Sequence, residues 1–161
     1  MMRGSTDLLE YDYKVHVPVV KTILRYPHLF RRDFLEQPSK SNWEDLETLS
    51  SEVKDSYPFK NVTDTLVTKI LMGTLGVVPA YDNFVKEAVK HYSITTANFN
   101  KKSFQTFTEY FSKYFVAEIN EYTKEMQKYS PLYTRAKVID ELLWCLGKEI
   151  AKKKAEEEKS R

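Results

Sequence analysis

The chain has 161 residues, of which 42% are hydrophobic and 14% aromatic, and this composition excludes a disordered chain. Only four residues are glycine, and no run approaches the roughly 18 consecutive apolar residues of a membrane span, so collagen-like and membrane-bundle designs are also excluded. The formal net charge is +2, from 25 basic and 23 acidic residues. One soluble globular domain with no membrane partner is the expectation.

The basic excess lies entirely at the C-terminal end. Residues 148–161 carry six basic and four acidic side chains, so the remaining 19 of each sign in residues 1–147 cancel. We therefore predict a globular domain over 1–147 and a charged helical tail over 148–161 that frays toward its end. A nucleic-acid-binding domain usually has a basic excess of its own, which the globular part lacks.

The cysteine content and the first residues bear on the compartment. Cys145 is the only cysteine, so an internal disulfide framework is excluded. We expect its thiol to be buried on an apolar face of the last helix. The opening residues are too short and too polar for a secretory signal, which predicts a cytoplasmic location.

The first half of the chain predicts four helices. Pro18 suits the first turn of one helix, and a short second helix follows Pro27. Ser41-Asn42-Trp43-Glu44 has the pattern of a capping box at the start of a third. A fourth runs from Val62 to Met72, with Gly73 as its stop. The residues expected to face the core are Val19, Ile23, Tyr26, Phe30, Phe34, Leu35, Trp43, Leu46, Leu49, Val53, Leu66, Ile70 and Leu71.

The second half continues with the same period. We expect a helix over residues 80–91, a loop over 93–102, a long helix over 103–128 and a last helix that starts at Ser130-Pro131. No segment shows convincing strand alternation, so the fold class is all-α, a single compact bundle of about six or seven helices. The residues expected to face the core here are Tyr81, Phe84, Val85, Val89, Phe104, Phe107, Phe111, Phe115, Ile119, Tyr122, Met126, Val138, Ile139, Leu142, Leu143, Leu146 and Ile150.

The common motifs of cofactor and metal chemistry are missing from the sequence. The three histidines, His16, His28 and His91, are far apart, and neither a phosphate-binding glycine loop nor a nucleophile elbow occurs. We therefore predict no metal and no cofactor, and the sequence leans against an enzyme.

The segment Gly73-Thr-Leu-Gly76-Val-Val-Pro79-Ala-Tyr-Asp82 is the most unusual part of the chain. It is either a tight connection, in which Pro79 starts a helix with Tyr81 and Asp82 in its first turn, or a site centred on Asp82. It resembles a segment of small uncharacterised bacterial helical proteins. The later Pro131-x-x-x-x-x-Lys137-Val-Ile-Asp140-x-x-x-Trp144 is similar to the end of the same group. This resemblance implies a bacterial or phage source and carries no activity.

A second resemblance involves Val78-Pro79-Ala-Tyr-Asp82-Asn-Phe-Val85. It looks like the Pro-Val-Asp-Thr-x-Val segment of helix-hairpin-helix DNA glycosylases, although Tyr81 adds a residue between Pro and Asp. In that family the Asp takes part in base excision and an upstream Lys can act as nucleophile. The resemblance therefore implies Asp82 and Lys69 as candidate catalytic residues, or a degenerate relative that only binds nucleic acid.

The remaining candidates are surface residues. Lysines near Asp82 would contact phosphates if the chain were nucleic-acid-associated. The tyrosines Tyr110, Tyr114, Tyr122, Tyr129 and Tyr133 cannot all be buried beside the Phe stripe, and tyrosine is enriched at protein interfaces. The favoured hypothesis is a non-enzymatic helical binding module that acts through protein–protein contact or self-association. The predicted binding residues are Tyr81, Asp82, Lys86, Lys90, Lys101, Lys102, Tyr110 and Tyr114.

Overall fold

The computed structural model describes residues 11–36 and 38–159. Within these ranges the only regular secondary structure is helical, with seven α-helices and two short 3₁₀ turns, which confirms the predicted all-α bundle. The helices are α1 (Val17–Ile23), α2 (Lys40–Asp55), α3 (Asp64–Thr74), α4 (Asn83–His91), α5 (Lys101–Tyr114), α6 (Val116–Gln127) and α7 (Arg135–Lys159), and the 3₁₀ turns are Tyr13–His16 and Pro27–Leu29.

One hydrophobic core is shared by all seven helices. The Phe residues of α5 lie at its centre, and Phe104, Phe107 and Phe111 are almost completely buried. Each fully buried side chain of this size contributes about 1.5–3 kcal/mol relative to exposure. The other helices supply Val19 and Ile23 (α1), Leu46, Leu49 and Val53 (α2), Leu66, Val67 and Leu71 (α3), Val85 and Val89 (α4), Ile119 (α6), and Val138, Ile139 and Leu143 (α7).

The most extensive helix pairing joins α4 and α7. Gly147 of α7 is buried, and a Cβ placed there would lie 1.9 Å from the carbonyl oxygen of Phe84. Beside this contact the rings of Phe84 and Trp144 meet edge to face, with centroids 5.5 Å apart. Further along, Lys154 forms an ion pair with Glu87 of α4. The charged tail is thus the last part of α7, which stays helical to Lys159.

Helix α2 begins earlier than predicted. Ser39, and not Ser41, is its N-cap: the Ser39 hydroxyl accepts from the backbone N–H of Asn42 (3.3 Å), and Asn42 Oδ1 accepts from the Ser39 N–H (3.1 Å). Asn42 Oδ1 also accepts from Arg32 Nη2 at 2.9 Å. The earlier capping box is favoured because its Asn side chain makes this tertiary contact as well.

The connection between α3 and α4 differs from the prediction at both ends. Helix α3 continues through Gly73 to Thr74, and the residue with a left-handed backbone is Gly76, at φ 70°. Helix α4 starts at Asn83 rather than near residue 80, because Asp82 is its N-cap. The expectation that Pro79 starts the helix was therefore wrong. Helix α3 starts two residues after the predicted Val62, because the Thr63 hydroxyl accepts from the backbone N–H of Leu66 and caps the helix.

The predicted long helix over 103–128 is two helices. Phe115, with φ −137° and ψ 10°, separates α5 from α6 and is 37% exposed. Its non-helical backbone also moves Tyr122 out of the expected stripe, and Tyr122 is exposed on α6. The apolar period of the sequence continues across Phe115, so the sequence did not predict a break there.

Several smaller expectations were also wrong. Pro27 starts only a 3₁₀ turn, after which Phe30 is exposed although Phe34 and Leu35 are buried. The last helix starts at Arg135, not at Ser130-Pro131. The Cys145 thiol is exposed, because the buried side of α7 is formed by Val138, Ile139, Leu143, Gly147 and Ile150.

Candidate functional site

The structure gives Asp82 a role in its own helix. Asp82 Oδ1 accepts hydrogen bonds from the backbone N–H groups of Phe84 (3.0 Å) and Val85 (3.1 Å), which have no partner within α4. Among the described residues no hydrogen bond or ion pair joins Asp82 to Lys69. The two candidate catalytic residues are therefore not brought together as a reacting pair.

Tyr81 is completely buried, with its ring 5.2 Å from that of Phe99. Its backbone is fixed to α3 on both sides: its N–H donates to Thr68 Oγ1 (2.9 Å), and its carbonyl accepts from Thr65 Oγ1 (2.7 Å). Burial raises the pKa of the Tyr81 phenol well above its usual range. A side chain in this position cannot touch a partner at the surface, so Tyr81 is not a contact residue.

A second carboxylate, that of Asp140 on α7, contacts the connection between α3 and α4. Its Oδ1 accepts from the Ala80 N–H at 2.7 Å. Burial raises the pKa of Asp140 to about 6, a rise that the Ala80 hydrogen bond partly opposes and the negative charge of Asp82 reinforces. This bond ties α7 to the connection before α4, and its chemistry is that of a structural contact.

The four predicted binding lysines face different neighbours. Lys86 Nζ donates to Thr65 Oγ1 of α3 at 3.3 Å, whereas Lys101 Nζ lies 3.9 Å from Glu47 of α2. Lys90 and Lys102 are exposed. Because Lys101 is partly neutralised and Lys86 lies against another helix, the described contacts add no support to the nucleic-acid hypothesis, which stays a prediction.

The tyrosines fall into two groups. Tyr133 is buried, and Tyr110 is half-buried, with its ring centroid 5.2 Å from that of Tyr114 and 5.8 Å from that of Phe115. Tyr114, Tyr122 and Tyr129 are exposed. Tyr110 and Tyr114 thus lie at the corner between α5 and α6, and their role as contact residues stays a prediction.

An aromatic row follows α6 along its length. We use this name for Phe115, Tyr122 and Tyr129, which are 37%, 48% and 79% exposed. Phe115 directly precedes α6, Tyr122 lies near its middle, and Tyr129 follows its end. The three positions are seven residues apart in the chain; Phe115 has a non-helical backbone, and its ring centroid lies 5.9 Å from that of Phe111 of α5. Sequence reasoning found the tyrosines but placed Phe115 and Tyr122 in the core.

A cavity of about 340 Å³ lies on another side of the molecule, among α5, α6 and the start of α7. None of the predicted site residues lines it. Its polar lining includes Arg31, Arg32, Asp33, Asn120, Lys124 and Arg135, which sequence reasoning did not single out. The one available signal was Asn120, a polar residue beside Ile119 on the buried side of an otherwise amphipathic helix.

Within residues 11–36 and 38–159, no group of three or more His, Cys, Asp or Glu side chains is arranged to hold a metal ion. Within the same ranges, no helix has both the length and the apolar content needed to cross a membrane.

Comparison of the chain with protein-family models, with curated proteins and with solved structures found no match. The resemblances to small bacterial proteins and to helix-hairpin-helix glycosylases therefore stay predictions.

Proposed function

We propose that this chain is a helical binding module that acts through protein–protein contact, and that the partner its surface fits is a second copy of the chain. The observation that supports the proposal is the exposed aromatic row on α6. Exposed aromatic rings beside a buried helix face are typical of a contact surface.

The row is symmetric about Tyr122. Phe115 precedes Tyr122 by seven residues and Tyr129 follows it by seven, so these two rings flank the two ends of α6. Two copies of α6 packed antiparallel would place Tyr122 against the second Tyr122, and each Phe115 against a Tyr129. This is the self-complementary arrangement that a two-fold dimer requires.

The helix dipoles suit the same arrangement. Antiparallel pairing aligns the two dipoles of α6 in opposite directions, which favours it over a parallel pair.

The size of the row sets the expected affinity. Aromatic side chains bury about 150–250 Å² each, so the exposed fractions of the three rings amount to roughly 300 Å² per copy. With the flanking charged side chains, this contact lies at the low end of protein interfaces. We therefore propose a dimer that forms in a concentration-dependent way, in the micromolar range or above.

Sedimentation analysis tests the proposal over a concentration series from about 1 to about 300 µM. Tyr122→Ser is the test variant, and Tyr92→Ser is the matched control, because Tyr92 is 47% exposed but lies at the end of α4. We expect wild type to dimerise, Tyr122→Ser to weaken the dimer at least about tenfold, and Tyr92→Ser to behave as wild type. A wild-type chain that stays monomeric over the whole series contradicts self-association, and equal weakening by both variants contradicts the assigned surface.

A further inference from the structure

The cavity beside α5 and α6 has the size of a small-molecule site, which typically ranges from about 300 to 1,000 Å³. One wall is the loop of residues 31–35, and another is the segment 76–79. The remaining walls are α5, α6 and the first turn of α7. We call this space the cationic cavity, because four basic side chains, Arg31, Arg32, Lys124 and Arg135, contribute to its lining.

Three of these cations lack an acidic partner. Among the described residues, no carboxylate lies within 4.0 Å of Arg31, Arg32 or Lys124. Arg31 Nη2 donates to the Pro131 carbonyl and Arg32 Nη2 donates to Asn42 Oδ1, each at 2.9 Å. These neutral acceptors orient the guanidinium groups without cancelling their charge.

The fourth cation belongs to an ion-pair triad. Arg135 contacts both Asp33 and Glu36, the latter at 2.7 Å, so this group carries one net negative charge. Added to the three unpaired cations, it leaves the surroundings of the cavity with a net charge of +2. A phosphate monoester carries between one and a half and two negative charges near pH 7, which matches this excess better than a single carboxylate does.

Three side-chain oxygens on the inner wall of the cavity can only accept hydrogen bonds. Asn120 Oδ1 is buried and has no partner in the structure. The hydroxyls of Thr108 and Thr123 donate to Gln105 O (2.9 Å) and Ile119 O (2.6 Å), so each oxygen is left only to accept. A buried acceptor is almost always paired in folded proteins, so a ligand that fills this space should bring hydroxyl or N–H groups.

The backbone on the open side is held in an unusual conformation. Arg31 has φ 56° and Gly76 has φ 70°, and the two loops are joined by a 2.8 Å hydrogen bond from Arg31 N to Leu75 O. A left-handed backbone is unfavourable for arginine and concentrates at ligand sites. Here it keeps the start of the 31–35 loop against segment 76–79, where the Arg31 side chain lines the cavity.

We propose that the cationic cavity binds a small organic phosphate. Arg31, Arg32 and Lys124 hold the phosphate group, and Asn120 Oδ1 accepts a hydrogen bond from a hydroxyl or N–H of the organic part. This site is separate from the aromatic row, so either proposal can fail without the other.

Isothermal titration calorimetry at low ionic strength tests the site with glycerol 3-phosphate and adenosine monophosphate as probes. Glycerol, adenosine and inorganic phosphate are the matched controls. We expect at least one organic phosphate to bind saturably with a Kd below about 1 mM, and to bind more weakly as salt is added. No saturable heat with either organic phosphate up to about 10 mM overturns the proposal. So does equally tight binding of their uncharged counterparts or of inorganic phosphate.

Two variants assign the binding to this cavity. Lys124→Gln removes an exposed cation that no described carboxylate pairs, so folding should be unaffected and affinity should fall about tenfold. The control is Lys21→Gln, at an exposed position of α1, which should leave affinity unchanged. Wild-type affinity in Lys124→Gln places the binding elsewhere and overturns the proposal.

Asn120→Leu gives a readout that does not depend on charge. It removes a buried unpaired acceptor and fills part of the cavity, so the melting temperature should stay equal or rise while affinity falls at least about tenfold. Wild-type affinity in this variant contradicts a ligand contact at Asn120.

Discussion

Gly147→Ala is the substitution for which the structure makes the sharpest stability prediction. In α7, Gly147 faces the backbone of Phe84, and the added Cβ would lie 1.9 Å from the Phe84 oxygen, 2.5 Å from its carbonyl carbon and 2.9 Å from its Cα. All three atoms belong to the backbone at the start of α4. Relief therefore requires the two helices to separate, because no flexible side chain can turn away.

The magnitude follows from two opposing effects. Real Cβ atoms essentially never approach closer than 3.0 Å, so the helices must separate locally by at least the difference from 1.9 Å, which is 1.1 Å. Overpacking of this kind costs about 1–3 kcal/mol, and a backbone obstacle places it at the upper end. Replacing glycine by alanine inside a helix by itself stabilises the helix by up to about 1 kcal/mol. The expected net loss of unfolding free energy is about 2 kcal/mol.

Gly73→Ala is the matched control, because it is the same substitution within helix α3. An added Cβ there meets nothing within 4 Å. We expect this variant to be as stable as wild type or more stable by up to about 1 kcal/mol. Urea denaturation followed by far-ultraviolet circular dichroism measures both, and about 2 kcal/mol corresponds to roughly 4–8 °C in Tm. If Gly147→Ala unfolds at or above the wild-type midpoint, the close approach of α4 and α7 is wrong.

Three further predictions concern single contacts. Because the pKa of Asp140 is raised from 3.8 to about 6, the folded state holds the Asp140 proton more tightly than the unfolded state does. The free energy of unfolding should therefore fall by at most about 3 kcal/mol between pH 4 and 6. Asp140→Asn should flatten that fall in urea titrations, and an unchanged pH profile in this variant contradicts the prediction. Asp82→Ala should cost about 1 kcal/mol and Asp82→Asn almost nothing, since asparagine also caps helices; equal losses would refute the capping role. Gly76→Ala should lower Tm, since φ is 70° and the new Cβ would meet Thr134 Cγ2 at 2.7 Å; an unchanged Tm would argue against the left-handed turn.

Burial was the most predictable property of this chain. Leu46, Leu49 and Val53 recur at helical spacing, and all three are buried. Phe104, Phe107 and Phe111 follow the same rule, because an apolar stripe on a helix has to face the core wherever that helix packs. The all-α class follows from many such stripes together.

The ends of helices were less predictable. The pattern of a hydroxyl followed three residues later by a polar side chain occurs at both Ser39 and Ser41, and only the contact of Asn42 with Arg32 selects the first. At Phe115 the apolar period runs on through a residue whose backbone is not helical. In both cases a tertiary contact or the packing of neighbouring helices decides among local alternatives of similar energy.

The candidate sites show the same division. Counting rings against available core positions predicted Tyr110 and Tyr114 as contact residues, which stays a prediction. The cationic cavity could not be predicted from the sequence, because Arg31, Lys124 and Arg135 are ordinary surface residues in the sequence and meet only in the folded chain. Asp82 shows the opposite error, since its unusual sequence surroundings reflect a helix cap.

The contacts of Arg135 and Arg31 also constrain when the cavity can form. Arg135 is separated by 102 and 99 residues from Asp33 and Glu36, and Arg31 by 100 residues from Pro131. At about 5–20 residues per second, the ribosome adds Pro131 and Arg135 roughly 5–20 s after it has added Arg31 and Asp33. Until then the loop around Asp33 has none of these partners, and closing so long a loop costs chain entropy before any contact repays it. The cavity is therefore among the last parts of the molecule to assemble, and a chain stalled before Arg135 would contain most of the core helices but no closed cavity.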